Sequence, residues 1–120
     1  MTTQLPRTVS AYIRAVNDHD AAAFNACFSD GAVVDDAGRE FRGITAIKDW
    51  SEREIIEPKV TLGVLDAADR GVETVVTTKV DGNYDKTGLP DPFIVSHHIV
   101  VEGDKIARLT IRLAGEKPGT

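Results

Sequence analysis

The sequence predicts an α+β domain in which helices pack on one face of a bent antiparallel sheet. Apolar side chains recur at helical spacing early in the 120-residue chain, whereas stretches rich in Val, Ile and Thr fill its second half. Because helices precede the long strands and do not alternate with them, the two layers are expected to be segregated. We expect a single domain over residues 1–120, with residues 116–120 as a loose tail.

Two helices are predicted at the start of the chain. The first covers residues 6–18 and begins at Pro6, which suits a first helical turn; its buried stripe comprises Val9, Tyr12, Ile13 and Val16. The second runs from Ala21 to Phe28, with Asp20 as its N-cap. Its apolar residues again recur at helical spacing: Phe24, Cys27 and Phe28.

A short hairpin and a third helix follow. Residues 32–36 and 40–42 have the character of two strands joined by a turn at residues 37–38. Residues 45–56 are typical of a helix, which Pro58 ends. Four longer strands are predicted at residues 59–66, 71–81, 92–102 and 105–113, with turns at residues 67–70 and 102–104.

Charge and cysteine content argue against several classes of function. The formal net charge of -5 disfavours a nucleic-acid partner, because phosphate binding depends on clustered Lys and Arg. Cys27 is the only cysteine, so the chain can form no internal disulfide and no thiolate-based zinc site. The sequence contains no nucleotide-binding fingerprint, membrane-spanning run or secretory signal. We therefore expect no cofactor, no metal, no membrane association and a cytoplasmic location.

Four segments carry a family resemblance. They are Y-x-x-A-x-N-x-x-D-x-x-A-x-x-x-x-F at residues 12–28, the segment 35–50 with its F-x-G-x-x-A-I-x-x-W pattern, V-x-G-N-Y at residues 80–84, and E-G-D-K-I-A-R-L-T-I at residues 102–111. In this order and spacing they resemble the SnoaL-like domains of the NTF2-like superfamily. The resemblance implies a cone with three N-terminal helices on a strongly bent antiparallel sheet, able to enclose a cavity, and a homodimer.

The same resemblance points to particular residues. Ketosteroid isomerases of this superfamily use a Tyr on the first helix, a general-base Asp at the end of the first strand and a protonated Asp on a later strand. Tyr12 and Asp36 match the first two positions, and His97 stands at the third. The superfamily also contains polyketide cyclases, dehydratases and members without a known reaction, so the fold alone does not define the function.

Strand periodicity gives a separate reason to select Asp36. Alternation along residues 33–36 places Val34 and Asp36 on one face and Asp35 on the other. A carboxylate that faces an apolar cavity is a useful proton acceptor, because desolvation disfavours its charged form. The alternative is that Asp36 only caps the turn at residues 37–38; for Asp35 we favour a turn and surface role.

Two further side chains are candidates for the same site. His97 and His98 are adjacent on a strand, so only one can point inward, and parity with Ile99 selects His97. His97 could then be a general acid, a hydrogen-bond donor or a partner of Asp36, or it could be a satisfied core histidine. Tyr12 lies on the buried stripe of the first helix, where its hydroxyl either reaches a cavity or bonds to the protein.

A set of large apolar residues completes the predicted site. Trp50, on the third helix, could form the wall of a hydrophobic pocket or simply pack in the core. The predicted ligand contacts are Trp50, Val34, Phe28 and Ile99. Residues 52–54, which carry Glu, Arg and Glu, are expected to form a solvated face.

Two hypotheses follow. In the first, the protein is an isomerase or cyclase-type enzyme in which Asp36 shuttles a proton on a small hydrophobic carbonyl compound while Tyr12 and His97 orient its oxygen. In the second, it is a non-catalytic ligand-binding or dimerisation module. The homodimer would then form through the polar sheet face that carries Val75, Thr77, Lys79 and Asp81.

Overall fold

The computed structural model describes residues 5–114, in which helices precede a sheet of six strands, so the predicted α+β class is confirmed. The predicted tail, residues 116–120, lies outside the described residues. The elements are α1 (Arg7–Asp18), α2 (Ala21–Ala26), β1 (Phe28–Asp36), β2 (Arg39–Arg42), α3 (Ile44–Ser51) continued by a π-helical segment (Glu52–Ile56), β3 (Thr61–Asp69), β4 (Glu73–Asp81), β5 (Ile94–Glu102) and β6 (Lys105–Leu113).

Helix α2 is shorter than its apolar spacing predicts. The Asp20 side chain caps it by accepting a hydrogen bond from the Ala23 N–H at 3.0 Å, as expected. The helix ends at Ala26, however, and Phe28 already belongs to β1, where it is paired with Ile106 of β6. Phe24 and Phe28 are both buried. Their spacing of four residues is compatible with one face of a helix, but here the chain turns after Ala26 and Phe28 is buried as part of a strand.

The strands form one open sheet in the order β2-β1-β6-β5-β4-β3. Four of its pairs are antiparallel, but β1 and β6 are parallel, so the sheet is mixed where a fully antiparallel one was predicted. The chain leaves the β1–β2 hairpin through α3, restarts at the far edge as β3 and returns through a meander. This path brings β6 alongside β1 in the same direction.

Several boundaries differ from the sequence-based prediction: β1 begins at Phe28 and not at residue 32, and β3, β4 and β5 each begin two residues later than predicted. Strand β3 extends to Asp69, so the turn predicted at residues 67–70 comes later, because Ala67 and Ala68 pair with β4. The third helix covers the predicted length but changes from α to π geometry after Ser51.

The helices cover one face of the sheet. Side chains that alternate along each strand pack beneath them, and the fully buried members of this core include Val34, Ile47, Val76, Ile99 and Leu109. Cys27 is buried among them, as predicted for a small apolar residue. None of the helices in residues 5–114 is long and apolar enough to cross a membrane.

Candidate functional site

A cavity of about 940 Å³ lies between the helices and the inward face of the sheet. Its apolar lining includes Val16, Trp50, Ile55, Val60, Leu62, Val80, Leu89, Phe93 and Val95. Its polar and charged lining includes Tyr12, Asp36, Arg39, Glu54, His97 and Arg112. An apolar volume with a few convergent polar groups is the usual composition of a small-molecule site.

Four of the predicted site residues line this cavity: Tyr12 from α1, Asp36 from β1, Trp50 from α3 and His97 from β5. The other three, Phe28, Val34 and Ile99, are buried in the core and are not among the lining residues.

Asp36 occupies the inward face at the end of β1, on the same side as buried Val34. Its Oδ2 accepts two hydrogen bonds, from Trp50 Nε1 at 3.1 Å and from Arg39 Nη2 at 2.6 Å. The carboxylate is therefore oriented by two donors, in contrast to the apolar surroundings that the sequence suggested. The turn at residues 37–38 is capped by its neighbour, since the Gly38 N–H donates to Asp35 Oδ1 at 2.9 Å.

Asp35 is not among the residues that line the cavity, and its carboxylate makes an ion pair with the neighbouring strand β6. Arg112 of β6 donates to both carboxylate oxygens, at 3.0 and 3.1 Å. These hydrogen bonds, with that of Gly38, hold the pKa of Asp35 below its usual range. The predicted turn role of Asp35 agrees with this geometry, although nothing in the sequence pattern indicates the Arg112 partner.

A second ion pair joins the hairpin to the π-helical segment. Arg39 donates from Nη1 to Glu54 Oε2 at 2.9 Å and from Nη2 to Glu54 Oε1 at 2.7 Å, in addition to its bond with Asp36. The hydrogen bonds to Glu54, and then the one to Asp36, raise the pKa of Arg39. Glu52 and Arg53 are exposed, as expected for a solvated face, whereas Glu54 is half-buried and bonds to Arg39 of another element.

A buried chain of hydrogen bonds connects helix α1 to two strands. Tyr12 Oη lies 3.0 Å from His97 Nδ1, and His97 Nε2 lies 3.0 Å from Thr78 Oγ1 of β4. Tyr12, His97 and Thr78 are 1%, 3% and 0% exposed. The parity argument for an inward His97 is confirmed, while His98 points outward to Glu73. Sequence reasoning missed Thr78, because only the strand register places it diagonally across from His97.

Burial keeps both ends of the Tyr12–His97 pair neutral. It lowers the pKa of His97 to about 4, with the charge of His98 as a further cause. Burial also raises the pKa of Tyr12, and the negative charge of Asp36 acts in the same direction. Tyr12 and His97 can therefore donate or accept hydrogen bonds near neutral pH without carrying charge. Within residues 5–114, no group of three His, Cys, Asp or Glu is placed to hold a metal ion.

Three helices on a bent sheet, with a cavity between them that has both apolar and polar lining residues, define a cavity-bearing domain of the NTF2-like class. The model of the SnoaL-like domain family matches residues 9–109, most of the chain, and the protein therefore belongs to that family. No curated protein matches the chain.

Solved structures agree with this assignment. A Sinorhizobium meliloti protein with the provisional name polyketide cyclase is 27% identical, with a TM-score of 0.80 over 90% of this chain and 95% of that one. A Catenulispora acidiphila protein with a ketosteroid isomerase-like fold, in complex with trimethylamine, is 19% identical, with a TM-score of 0.75 over 93% and 88%. An NTF2-like protein of unknown function from Cytophaga hutchinsonii is 15% identical, with a TM-score of 0.74 over 94% of both chains. The last two likenesses establish the fold alone.

Proposed function

We propose that the protein binds a small, largely apolar carbonyl compound in its cavity and moves a proton on it through Asp36. The observation that supports this most is the convergence of Tyr12, Asp36 and His97, distant in the sequence, on one cavity with an apolar lining. A family that includes cyclase-like and isomerase-like relatives is consistent with proton transfer next to a carbonyl.

The geometry assigns a separate task to each group. Both donors to Asp36 bond to Oδ2, so Oδ1 is the oxygen that would take a proton from the carbon next to the carbonyl. Negative charge then develops on the substrate oxygen, where the Tyr12 hydroxyl would stabilise it by hydrogen bonding. His97, neutral and bonded to Tyr12, would hold that hydroxyl in place.

An exchange assay tests the proposal. 2-Tetralone, an enolisable ketone on a small apolar skeleton, is incubated with the protein in D₂O, and deuterium at the acidic carbon is followed by NMR. We expect accelerated exchange that falls about 10²- to 10⁴-fold in Asp36→Asn, the usual contribution of a positioned base. Asp49→Asn, an identical change at an exposed position of α3, is the matched control and should keep the wild-type rate.

A fluorescence measurement made beside the exchange assay separates catalysis from binding. Trp50, the only tryptophan, lines the cavity, so quenching of its fluorescence reports ligand binding directly. Binding of 2-tetralone without faster exchange would refute the proton-transfer role and favour a non-catalytic ligand-binding module. Equal exchange rates for wild type and Asp36→Asn would remove Asp36 from the chemistry.

We also propose that the protein forms a homodimer through the outward face of its sheet. Helices cover only the opposite face, and the outward side chains of β4 and β5 include apolar, polar and charged types, with Val75, Thr77, Ser96 and Val100 half-buried. Such a mixed surface suits a wet interface. Sedimentation velocity should show a dimer that Thr77→Arg dissociates, whereas Thr45→Arg, at an exposed position of α3, should leave it intact. A monomeric wild type would contradict this proposal.

A further inference from the structure

The buried chain of Thr78, His97 and Tyr12 contains more protons than its own hydrogen bonds can use. A neutral histidine carries one N–H, and each of the two hydroxyls carries one O–H, which gives three donors for two hydrogen bonds. One O–H proton must therefore point out of the chain, either from Tyr12 or from Thr78. If the Tyr12 proton points out of the chain, Nδ1 donates to Tyr12 and Nε2 accepts from Thr78. If the Thr78 proton points out, Nδ1 accepts and Nε2 donates. The choice therefore decides the tautomer of His97.

The Thr78 end offers no acceptor for the extra proton. Thr78 is fully buried, so solvent does not reach its hydroxyl. Within residues 5–114, the hydrogen bond of Thr78 Oγ1 is the one to His97 Nε2, and no backbone carbonyl accepts from it. If His97 donated from Nε2 to Thr78, the Thr78 proton would remain buried without a partner, which is an unfavourable arrangement.

The Tyr12 end does offer a place for that proton. Tyr12 lines the cavity, where water or a ligand can accept a hydrogen bond. Its oxygen can take the His97 Nδ1–H at the same time, since a phenol oxygen both donates and accepts. With Thr78 donating to Nε2, every proton of the chain then has an acceptor.

We infer that Thr78 donates to His97 Nε2, fixes the ring as the Nδ1–H tautomer and thereby directs the Tyr12 O–H into the cavity. Thr78 is thus a positioning residue, which acts on the cavity through His97. The wall of the cavity at Tyr12 presents a donor, so it selects ligand oxygens with free lone pairs, such as a ketone, over groups that only donate. This preference rests on the proposed function, whereas the tautomer does not, so the two can fail separately.

The tautomer is measured in the ligand-free protein by long-range ¹H–¹⁵N correlation NMR at neutral pH. The His97 signals are identified by their loss in His97→Gln. We expect a protonated Nδ1 and an unprotonated Nε2 in the wild type. A wild-type ring protonated at Nε2 would overturn the inference.

A pair of variants then tests the role of the Thr78 hydroxyl. Thr78→Val keeps the shape but removes the donor, so we expect the population to shift toward the Nε2–H tautomer, which free imidazole side chains favour. Thr78→Ser retains the hydroxyl and should restore the wild-type pattern. A Thr78→Val protein with the same tautomer populations as the wild type would show that Thr78 does not set the His97 proton.

Discussion

Trp50 donates its indole N–H to the carboxylate of Asp36 over 3.1 Å, and this bond joins the wall of the cavity to the proposed base. The Trp50 ring is 2% exposed and packs against Phe24 and Phe41, so its position is set by the core. Asp36, at the end of a strand, is therefore oriented by a side chain that has little freedom to move. The sequence suggested either a wall or a core role for Trp50, and the structure gives it both.

Trp50→Phe should isolate the energy of this hydrogen bond, because it keeps an aromatic ring in the same place. In a double-mutant cycle with Asp36→Ala, which removes the acceptor, we expect a coupling free energy of about 1–2 kcal/mol. This is at the low end for bonds to charged groups, because the Asp36 side chain is 20% exposed. The coupling free energy is obtained from urea unfolding curves. Unfolding is monitored by far-UV circular dichroism, because Trp50→Phe removes the only tryptophan and with it the tryptophan fluorescence. A coupling near zero would mean that the bond does not stabilise the fold.

The buried His97 should make stability fall as the pH falls. Its folded-state pKa of about 4 lies below the ordinary value of 6.5, so the unfolded chain takes up a proton first and is favoured as the pH drops through that window. We expect a loss of about 2 kcal/mol between about pH 7 and pH 5 from this residue.

Urea unfolding at each pH gives the loss of unfolding free energy for the wild type and for His97→Gln. The difference between the two losses is the contribution of His97, because the carboxylates contribute to both. If His97→Gln showed the same slope as the wild type, the histidine would be charged in the folded protein.

Gly82, where the chain leaves β4 for the loop over the cavity, should not tolerate a side chain. A Cβ there would lie 2.9 Å from Tyr84 Cε2 and 3.1 Å from the Pro58 carbonyl oxygen. We expect Gly82→Ala to lower the free energy of unfolding by about 1–3 kcal/mol, the range for overpacking. Gly63→Ala, in β3, meets only the Lys79 carbonyl oxygen at 3.8 Å and is the control. Equal effects of the two changes in urea unfolding would argue against a close contact at Gly82.

The Arg39 ion pairs should add little to stability in spite of their short distances. The Arg39 side chain is 54% exposed, and water screens its bonds to Asp36 and Glu54. We expect Arg39→Gln to change the free energy of unfolding by no more than about 1 kcal/mol, as for Arg42→Gln, which breaks the exposed pair with Glu40. A loss several times larger in urea unfolding would show that the cluster is better shielded than its exposure indicates.

Local periodicity was sufficient to predict much of the fold and the direction of several side chains. The alternation of β1 correctly put Val34 and Asp36 on one face, and the parity of β5 correctly turned His97 inward, because side chains of a strand alternate strictly. Spacing failed at Phe28, where a helix and a turn into a strand bury the same residue equally well.

The partners of the site residues could not be predicted in the same way. Thr78 reaches His97 only through the β4–β5 register, and Arg39 reaches Glu54 only because the hairpin packs near the π-helical segment. Both contacts depend on tertiary geometry, to which a single sequence gives no periodic signal. The same holds for the parallel pairing of β1 with β6, which depends on the path of the whole chain.

That parallel pairing also orders events during synthesis. Phe28 to Asp36 lie beside Ile106 to Ile111, so an early segment of the nascent chain obtains its neighbour only when the last strand has been made. Contacts between such distant parts of a chain are slow to form. The bond from Tyr12 to His97 spans a comparable separation. A chain still attached to the ribosome and lacking β6 would therefore have no finished cavity, since Ile111 and Leu113 of β6 line it, and the cavity is among the last parts of the molecule to form.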